Sequence, residues 1–243
     1  METVRADRLA ALRREIRSLQ GEGRTRLRTA TDLGLGPICS AFPDSLFPTG
    51  AIHEFVCSNR TDKSATTGFI AGLLSGLMQQ QGLSVWVNAA KTVFPPALVS
   101  FGIDPSHIIF IDLPRIREVD WVIREALKYE GLSAVVGEMR DLDFTTSRRL
   151  QLAVEQSRVT GLLIRGGSRT DQPTAAVARW KIRSLPSESL DGLPGLGDPR
   201  WQVELLRVRN GRPGSWPVKW AEGKFRPGEP LLRSLPAGER KAG

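Results

Sequence analysis

The sequence has few of the residues from which metal centres and nucleophilic sites are usually built. Its 243 residues include two cysteines, two histidines and one tyrosine. Cys39 and Cys57 could form at most one disulfide and lack metal-ligand spacing, so we expect reduced thiols in a cytosol. His53 and His107 fall within or at the edge of strand-like runs, where structural roles are expected. We find no nucleophilic triad, paired carboxylates or zinc motif.

Long apolar runs are also missing. No stretch approaches the roughly 18 consecutive apolar residues of a membrane span, and the N-terminus is too charged for a secretory signal. We therefore expect a cytoplasmic protein without a membrane partner. The formal net charge of +8 favours a polyanionic partner, nucleic acid first, although a basic surface alone would give the same charge.

Residues 1–30 form the first predicted unit, a basic amphipathic helix with its connector. The apolar positions lie three or four residues apart within residues 4–20: Leu9, Leu12, Ile16 and Leu19. A single helix cannot bury this stripe alone. The stripe could pack on its own domain or dock on a neighbouring subunit or partner, and the spacing favours neither.

Residues 31–221 are predicted to form one α/β domain. Apolar runs alternate with helical patterns, which is typical of a mostly parallel sheet covered by helices on both faces. The first helix is expected from Ser64, and another is expected to end near Gly102. Beyond Arg165 the alternating pattern changes to that of half-exposed antiparallel strands, including the run "ARWKIR". Residues 222–243 are expected to be a disordered tail.

The stretch "CSNRTDKS", from Cys57 to Ser64, stands where a phosphate-binding loop would stand, between a strand and a helix. Lys63 and Ser64 match the lysine and hydroxyl of the GxxxxGK[ST] pattern, in which glycines let backbone N–H groups surround phosphates. Cys57 and Asp62 occupy the two glycine positions. Asp62 would bring a carboxylate to the phosphates, so we interpret this nucleotide site as vestigial.

The carboxylates that an ATPase needs are not where they should be. After the apolar strand "AVV" comes Gly137, and Glu138 is one residue later, which we expect to point to the other face. The strand "VWVNAA" likewise ends without a carboxylate. We therefore predict no catalytic residues, no metal and no cofactor; ATP with Mg²⁺ would be the exception if the loop still binds nucleotide.

The order of these parts resembles the RecA core, and within that superfamily the ImuA family, which is related to the SulA-type division inhibitors. The resemblance covers roughly residues 45–221 together with the basic N-terminal helix, and it rests on "SRRLQLA", "ARW" and "GRPGSW" in that order. It implies a RecA-like fold. It also aligns Ala90 with the water-activating glutamate of RecA and Gly137 with the Walker B aspartate of RecA. Neither function carries over to this sequence, because neither residue is a carboxylate.

The ImuA resemblance implies a non-catalytic adaptor in damage-induced, SOS-type mutagenesis and translesion synthesis. The implied partners are an ImuB-like pseudo-polymerase and an error-prone polymerase subunit, with RecA or a second copy reached through the N-terminal helix. The expected location is the bacterial cytoplasm, near the nucleoid. Two alternatives remain, a DNA-dependent ATPase with an unusual loop and a SulA-type division inhibitor.

Single-stranded DNA is a further expected partner, for which the basic residues after the fifth strand are candidates. Arg179, Lys181 and Arg183 alternate and so should share one strand face, which could follow a phosphate backbone or simply be solvated. Trp180 should point to the core. The full candidate set is Arg165, Arg169, Arg179, Lys181 and Arg183.

Overall fold

The structure is a computed structural model that describes residues 33–79, 82–89, 93–140, 142–166, 172–187 and 197–229. The predicted N-terminal helix, Ala90, Arg169 and the chain beyond residue 229 lie outside these residues. The described helices are α1 (Arg60–Leu77), α2 (Ile116–Ala126) and α3 (Phe144–Ser157). The strands are β1 (Ile52–Cys57), β2 (Leu83–Asn88), β3 (Ile108–Asp112), β4 (Leu132–Glu138), β5 (Thr160–Gly166), β6 (Ala178–Leu185), β7 (Arg200–Val208), β8 (Gly214–Ala221) and β9 (Lys224–Pro227).

These strands form one sheet in the order β3-β2-β4-β5-β1-β6-β7-β8-β9. The six strands from β3 to β6 pair in parallel, and β7, β8 and β9 add antiparallel pairs at one side. This is the predicted fold class for the described residues, a mostly parallel sheet with an antiparallel extension. The run that contains β6 differs from expectation, because β6 pairs in parallel with β1 and is antiparallel to β7 alone.

Each face of the sheet has its own apolar core. On one face, hereafter the α1 face, Phe69 and Leu73 of α1 pack against Trp86 and Trp180. On the opposite face, the α2–α3 face, buried side chains such as Ile123 complete the second core. Successive residues of a strand therefore point to different cores, which explains why the central strands read as continuous apolar runs.

His53 has the structural role that its place in a strand-like run predicted. Its side chain is fully buried and stacks on Phe47, with 4.2 Å between ring centroids. His53 Nε2 lies 2.7 Å from the carbonyl oxygen of Pro48, and Trp180 Nε1 donates to its Nδ1 over 3.2 Å. A carbonyl only accepts, so Nε2 carries the proton of a neutral ring.

Two boundaries differ from the sequence prediction. The helix expected before Gly102 is a 3-10 helix, Pro95–Phe101, because two prolines open it and its residues are too few for a stable α-helix. At the C-terminus, β9 extends the ordered domain past residue 221. Phe225 is buried against Phe69 and Trp220, so the first part of the predicted tail belongs to the core.

No helix among the described residues combines the length and the apolar content that crossing a membrane requires.

Candidate functional site

The turn between β1 and α1 is shorter than a phosphate-binding loop. Ser58 and Asn59 alone separate Cys57, the last residue of β1, from Arg60, the first residue of α1. The prediction that this helix starts at Ser64 is therefore wrong. Asn59 is the reason: it is a favoured N-cap residue, and its Oδ1 accepts a hydrogen bond from the Asp62 N–H over 2.7 Å.

Groups of the chain itself bond to the N–H donors of this turn. Asp62 Oδ2 accepts from the Ser58 N–H over 3.2 Å, and the Lys63 N–H donates to the Asn59 carbonyl over 3.1 Å. Asp62 is 6% exposed. The N-terminus of a helix attracts anions, because its N–H groups and its dipole both favour negative charge. Here the Asp62 carboxylate supplies that charge from within.

Lys63 is bound to a carboxylate where an ATPase would present it to a phosphate. Its Nζ lies 2.6 Å from Oε2 of Glu138, and about a quarter of each side chain is exposed. Glu138 ends β4 on the α1 face, whereas a Cβ at Gly137 would collide with Ile123 on the opposite face. The interpretation that Glu138 points away from the loop is therefore wrong. A carboxylate does face Lys63, one residue after the position aligned with the Walker B aspartate.

The other two residues of the vestigial site turn inward or along the helix. Ser64 Oγ donates to the Arg60 carbonyl of the same helix over 3.2 Å. Cys57 is buried with its Sγ 3.4 Å from Thr66 Oγ1, and burial raises the pKa of its thiol. Among the described residues, no group of three or more His, Cys, Asp or Glu side chains is arranged to hold a metal ion.

A buried ionic cluster lies on the α2–α3 face, behind the loop. Glu54 of β1 is fully buried and accepts hydrogen bonds from Arg165 Nη1, from Thr174 Oγ1 over 2.7 Å and from Arg179 Nε over 2.9 Å. The Arg165 side chain is 2% exposed and that of Arg179 is 12% exposed. The Arg165 guanidinium is buried against Glu54, so its expected contact with nucleic acid needs correction. Arg179 is only partly buried and also donates from Nη2 to the Gln172 carbonyl near the surface, so nucleic-acid contact at Arg179 stays a prediction.

The remaining candidate cations lie further along β6. Trp180 is buried, as predicted, so Arg179, Lys181 and Arg183 do share the opposite face. Arg183 is half exposed and pairs with Glu204 of β7 over 2.5 Å, and Lys181 is partly buried. The predicted row of cations is thus neutralised at two of its three positions. Contact with nucleic acid at Lys181 and Arg183 stays a prediction.

A second basic site was not found from the sequence. A groove of about 280 Å³ lies between the first turn of α3 and the end of β7, lined by Phe144, Arg148, Thr174, Ala175, Ala176, Arg207, Val208 and Arg209. Arg207 and Arg209 alternate in "RVRNG", and this period of two could have indicated a shared face. Burial, and then the nearby Arg179, lower the pKa of Arg207.

The fold and the loop together define a class of protein, a RecA-like α/β domain with a shortened phosphate loop. The crystal structure of the RadB recombinase is similar, with a TM-score of 0.57 and 16% sequence identity over 82% of this chain and 100% of that chain. This likeness confirms the RecA-like fold expected from the sequence.

The family follows from sequence similarity over most of the chain. Protein ImuA from two strains of Caulobacter vibrioides, NA1000 / CB15N and ATCC 19089 / CIP 103742 / CB 15, is 32% identical over 219 residues. The match covers 85% of this chain and 90% of that protein. The chain therefore belongs to the ImuA family, as the resemblance indicated. No family model matches the chain. Family and fold together support a RecA-like protein related to DNA damage.

Proposed function

We propose that this protein is a non-catalytic accessory factor of error-prone translesion synthesis, which brings polymerase-complex partners together after DNA damage. One observation carries the proposal: the β1–α1 turn binds its own carboxylate at Asp62. A glycine-rich phosphate loop works because its N–H donors are open to the nucleotide. In this chain, the donors of Ser58 and Asp62 are engaged inside the turn.

The adaptor role is further supported by the ion pair between Lys63 and Glu138. A nucleotide would have to displace the Glu138 carboxylate from Nζ and add phosphate charge beside Asp62. Like charges a few ångströms apart cost several kcal/mol even at an effective dielectric of about 20. The retained lysine therefore has a structural explanation, an ion pair that joins α1 to the end of β4.

Nucleotide turnover is the first test. We expect no phosphate release above background from the purified protein, with or without single-stranded DNA, and no change in Lys63→Ala. In cells that lack the natural gene, Lys63→Ala should restore damage-induced mutation to the level given by the unmodified protein. Lys128→Ala is the matched control, because it removes a surface lysine that pairs with Glu125 on another part of the domain.

A DNA-dependent ATPase is the second candidate, and one observation favours it. Lys63 and Glu138 face each other at the ends of adjacent elements, as a phosphate-binding lysine and a metal-binding carboxylate would. DNA-stimulated phosphate release that disappears in Lys63→Ala and persists in Lys128→Ala would establish this activity. The same result would overturn the adaptor-only proposal.

The partners are the second test. The full chain should co-purify from DNA-damaged cells with a polymerase-like protein that lacks catalytic carboxylates, and with an error-prone polymerase subunit. Deleting residues 1–20 should reduce this recovery if the predicted amphipathic helix docks on the complex. Recovery of no polymerase subunit by either form would contradict the proposal. A fluorescent fusion should gather at the nucleoid after damage, in line with a cytoplasmic protein that acts on DNA.

A further inference from the structure

The groove between α3 and the end of β7 combines an exposed aromatic ring with several cations. Phe144 is 57% exposed although it is large and apolar. Arg148, one turn further along α3, is exposed, and its side chain makes no hydrogen bond or ion pair among the described residues. Arg207 and Arg209 complete the lining from the other side. The groove lies away from Lys63 and uses none of the arginines predicted from the sequence.

Arg207 of β7 and Arg209, which follows that strand, are held in place by backbone carbonyls. Arg207 Nη2 donates to the Thr174 carbonyl over 2.5 Å and to the Ala176 carbonyl over 2.9 Å. Arg209 Nη2 donates to the carbonyl of Ala175 over 2.8 Å. A guanidinium has five N–H donors, so each arginine keeps donors for a ligand while its position is set. Such preorganisation lowers the entropic cost of binding.

The wall of the groove is itself anchored. The Ala175 N–H donates to Ser147 Oγ of α3 over 2.9 Å, which ties the segment before β6 to the helix. One residue earlier, Thr174 donates to the buried Glu54. The groove therefore exists before any ligand arrives, as is usual for binding sites.

The charge of the groove is one-sided. The described residues of its lining include three arginines and no carboxylate. Two described carboxylates border this lining. Glu54 accepts a hydrogen bond from Thr174 and also binds Arg165 and Arg179, and Asp143, next to Phe144 in the chain, accepts the N-capping hydrogen bond of α3 from the Thr146 N–H. Burial is the main cause of the lowered pKa of Arg207, and the nearby positive charges of Arg179 and Arg209 lower this pKa further. A bound anion would offset that positive charge.

We propose that this groove binds single-stranded nucleic acid, with one base stacked on Phe144 and the neighbouring phosphates bound by Arg148, Arg207 and Arg209. Stacking platforms next to cations are the usual means of binding single strands without sequence preference. A duplex keeps its base faces covered, so its bases could not reach Phe144. An acidic peptide would use the arginines and leave the ring unused. The inference rests on the proposed function and gives it a DNA-contacting surface.

The test measures binding of a fluorescently labelled oligothymidylate to the full chain by anisotropy. We expect Phe144→Ala to weaken binding by at least about fivefold, since stacking on an aromatic ring contributes about 1–3 kcal/mol per base. Phe144→Tyr should keep the affinity. Arg148→Gln should weaken binding and reduce the slope of log K against log salt by about one. Arg115→Gln removes the same charge from a surface pair with Glu118 and should change neither value.

Four results would overturn the inference. The unmodified protein could fail to bind the oligonucleotide, or Phe144→Ala and Arg148→Gln could bind as well as Arg115→Gln does. A duplex of equal length could bind as tightly as the single strand, or poly-glutamate could compete as well as unlabelled oligothymidylate. Partner recovery from damaged cells is measured on the same variants. For the unmodified protein, recovery of partners without oligonucleotide binding refutes the groove alone, and oligonucleotide binding without recovery of partners refutes the adaptor role alone.

Discussion

Replacing Glu54 with alanine should destabilise the protein strongly, because the Glu54 carboxylate pairs with the buried Arg165 and the partly buried Arg179. The carboxylate is fully buried, and Arg165 and Arg179 retain 2% and 12% exposure. Removing one partner from a buried ionic group leaves the remaining charge without compensation, which costs about 3–5 kcal/mol. Proteins of this kind are stable by about 5–15 kcal/mol in total, so the loss is a large fraction.

Glu54→Gln gives a milder version of the same perturbation. The amide keeps the shape and one acceptor oxygen but loses the charge, so we expect a loss of roughly 1.5–3 kcal/mol, the usual contribution of hydrogen bonds to charged groups. Combining Glu54→Leu with Arg165→Met removes a charge of each sign. The double variant should be more stable than the sum of the two single losses predicts, by about 0.5–3 kcal/mol.

Urea denaturation followed by tryptophan fluorescence measures these differences, since Trp86 and Trp180 are buried in the core. The slope of the unfolding free energy against urea should stay constant, which shows that the variants unfold from a comparable native state. Glu118→Ala is the control, because its carboxylate pairs with Arg115 at the surface and should contribute no more than about 1 kcal/mol. If Glu54→Ala costs no more than this control, the buried cluster does not exist as described.

Three smaller predictions test other parts of the structure. Gly72→Ala should destabilise the protein by roughly 1–3 kcal/mol in urea, because a Cβ would lie 2.5 Å from Phe225 Cζ; an unchanged stability would contradict the packing of β9. With a thiol reagent at pH 8, the partly buried Cys39 should react first, and Cys57 should react slowly until denaturant is added, since burial raises the pKa of the Cys57 thiol. Asp143→Ala should lower the melting temperature at pH 7 but converge with the unmodified protein as the pH falls below 3.8. The backbone hydrogen bond from Thr146 lowers the Asp143 pKa, so its stabilisation is present above the unfolded pKa and is lost below the folded one.

The central strands could be predicted from sequence because their burial leaves a local signature. Strands β1, β4 and β5 are covered by helices on both faces, so nearly every position is buried. Each strand therefore contains a short apolar run that is visible without a structure. The start of α1 was missed for a local reason as well. Asn59 and Asp62 form an N-cap that competes with the phosphate-loop pattern, and the capping signal was present in the sequence.

Local sequence patterns could not show on which face of the sheet Glu138 lies, nor that Arg165 is buried. Glu138 meets Lys63 from 75 residues away, and Arg165 meets Glu54 across 111 residues. A strand-end arginine next to a polar loop has the same sequence pattern whether it is solvated or paired inside. The groove at Phe144 could not be predicted for the same reason, since α3 and β7, which line it, are far apart along the chain.

The sequence by itself determined the order of strands and helices, the family and the loss of the glycines from the phosphate loop. The order of strands and helices depends on short-range periodicity, which each segment carries alone. The family rests instead on the resemblance of particular motifs and on identity to ImuA over most of the chain. The tertiary structure decided which charges are neutralised and which stay exposed, because a Coulomb interaction depends on distance in space and on burial. It placed Glu54 against Arg165 and Arg179, and it left Arg148 in solvent beside Phe144.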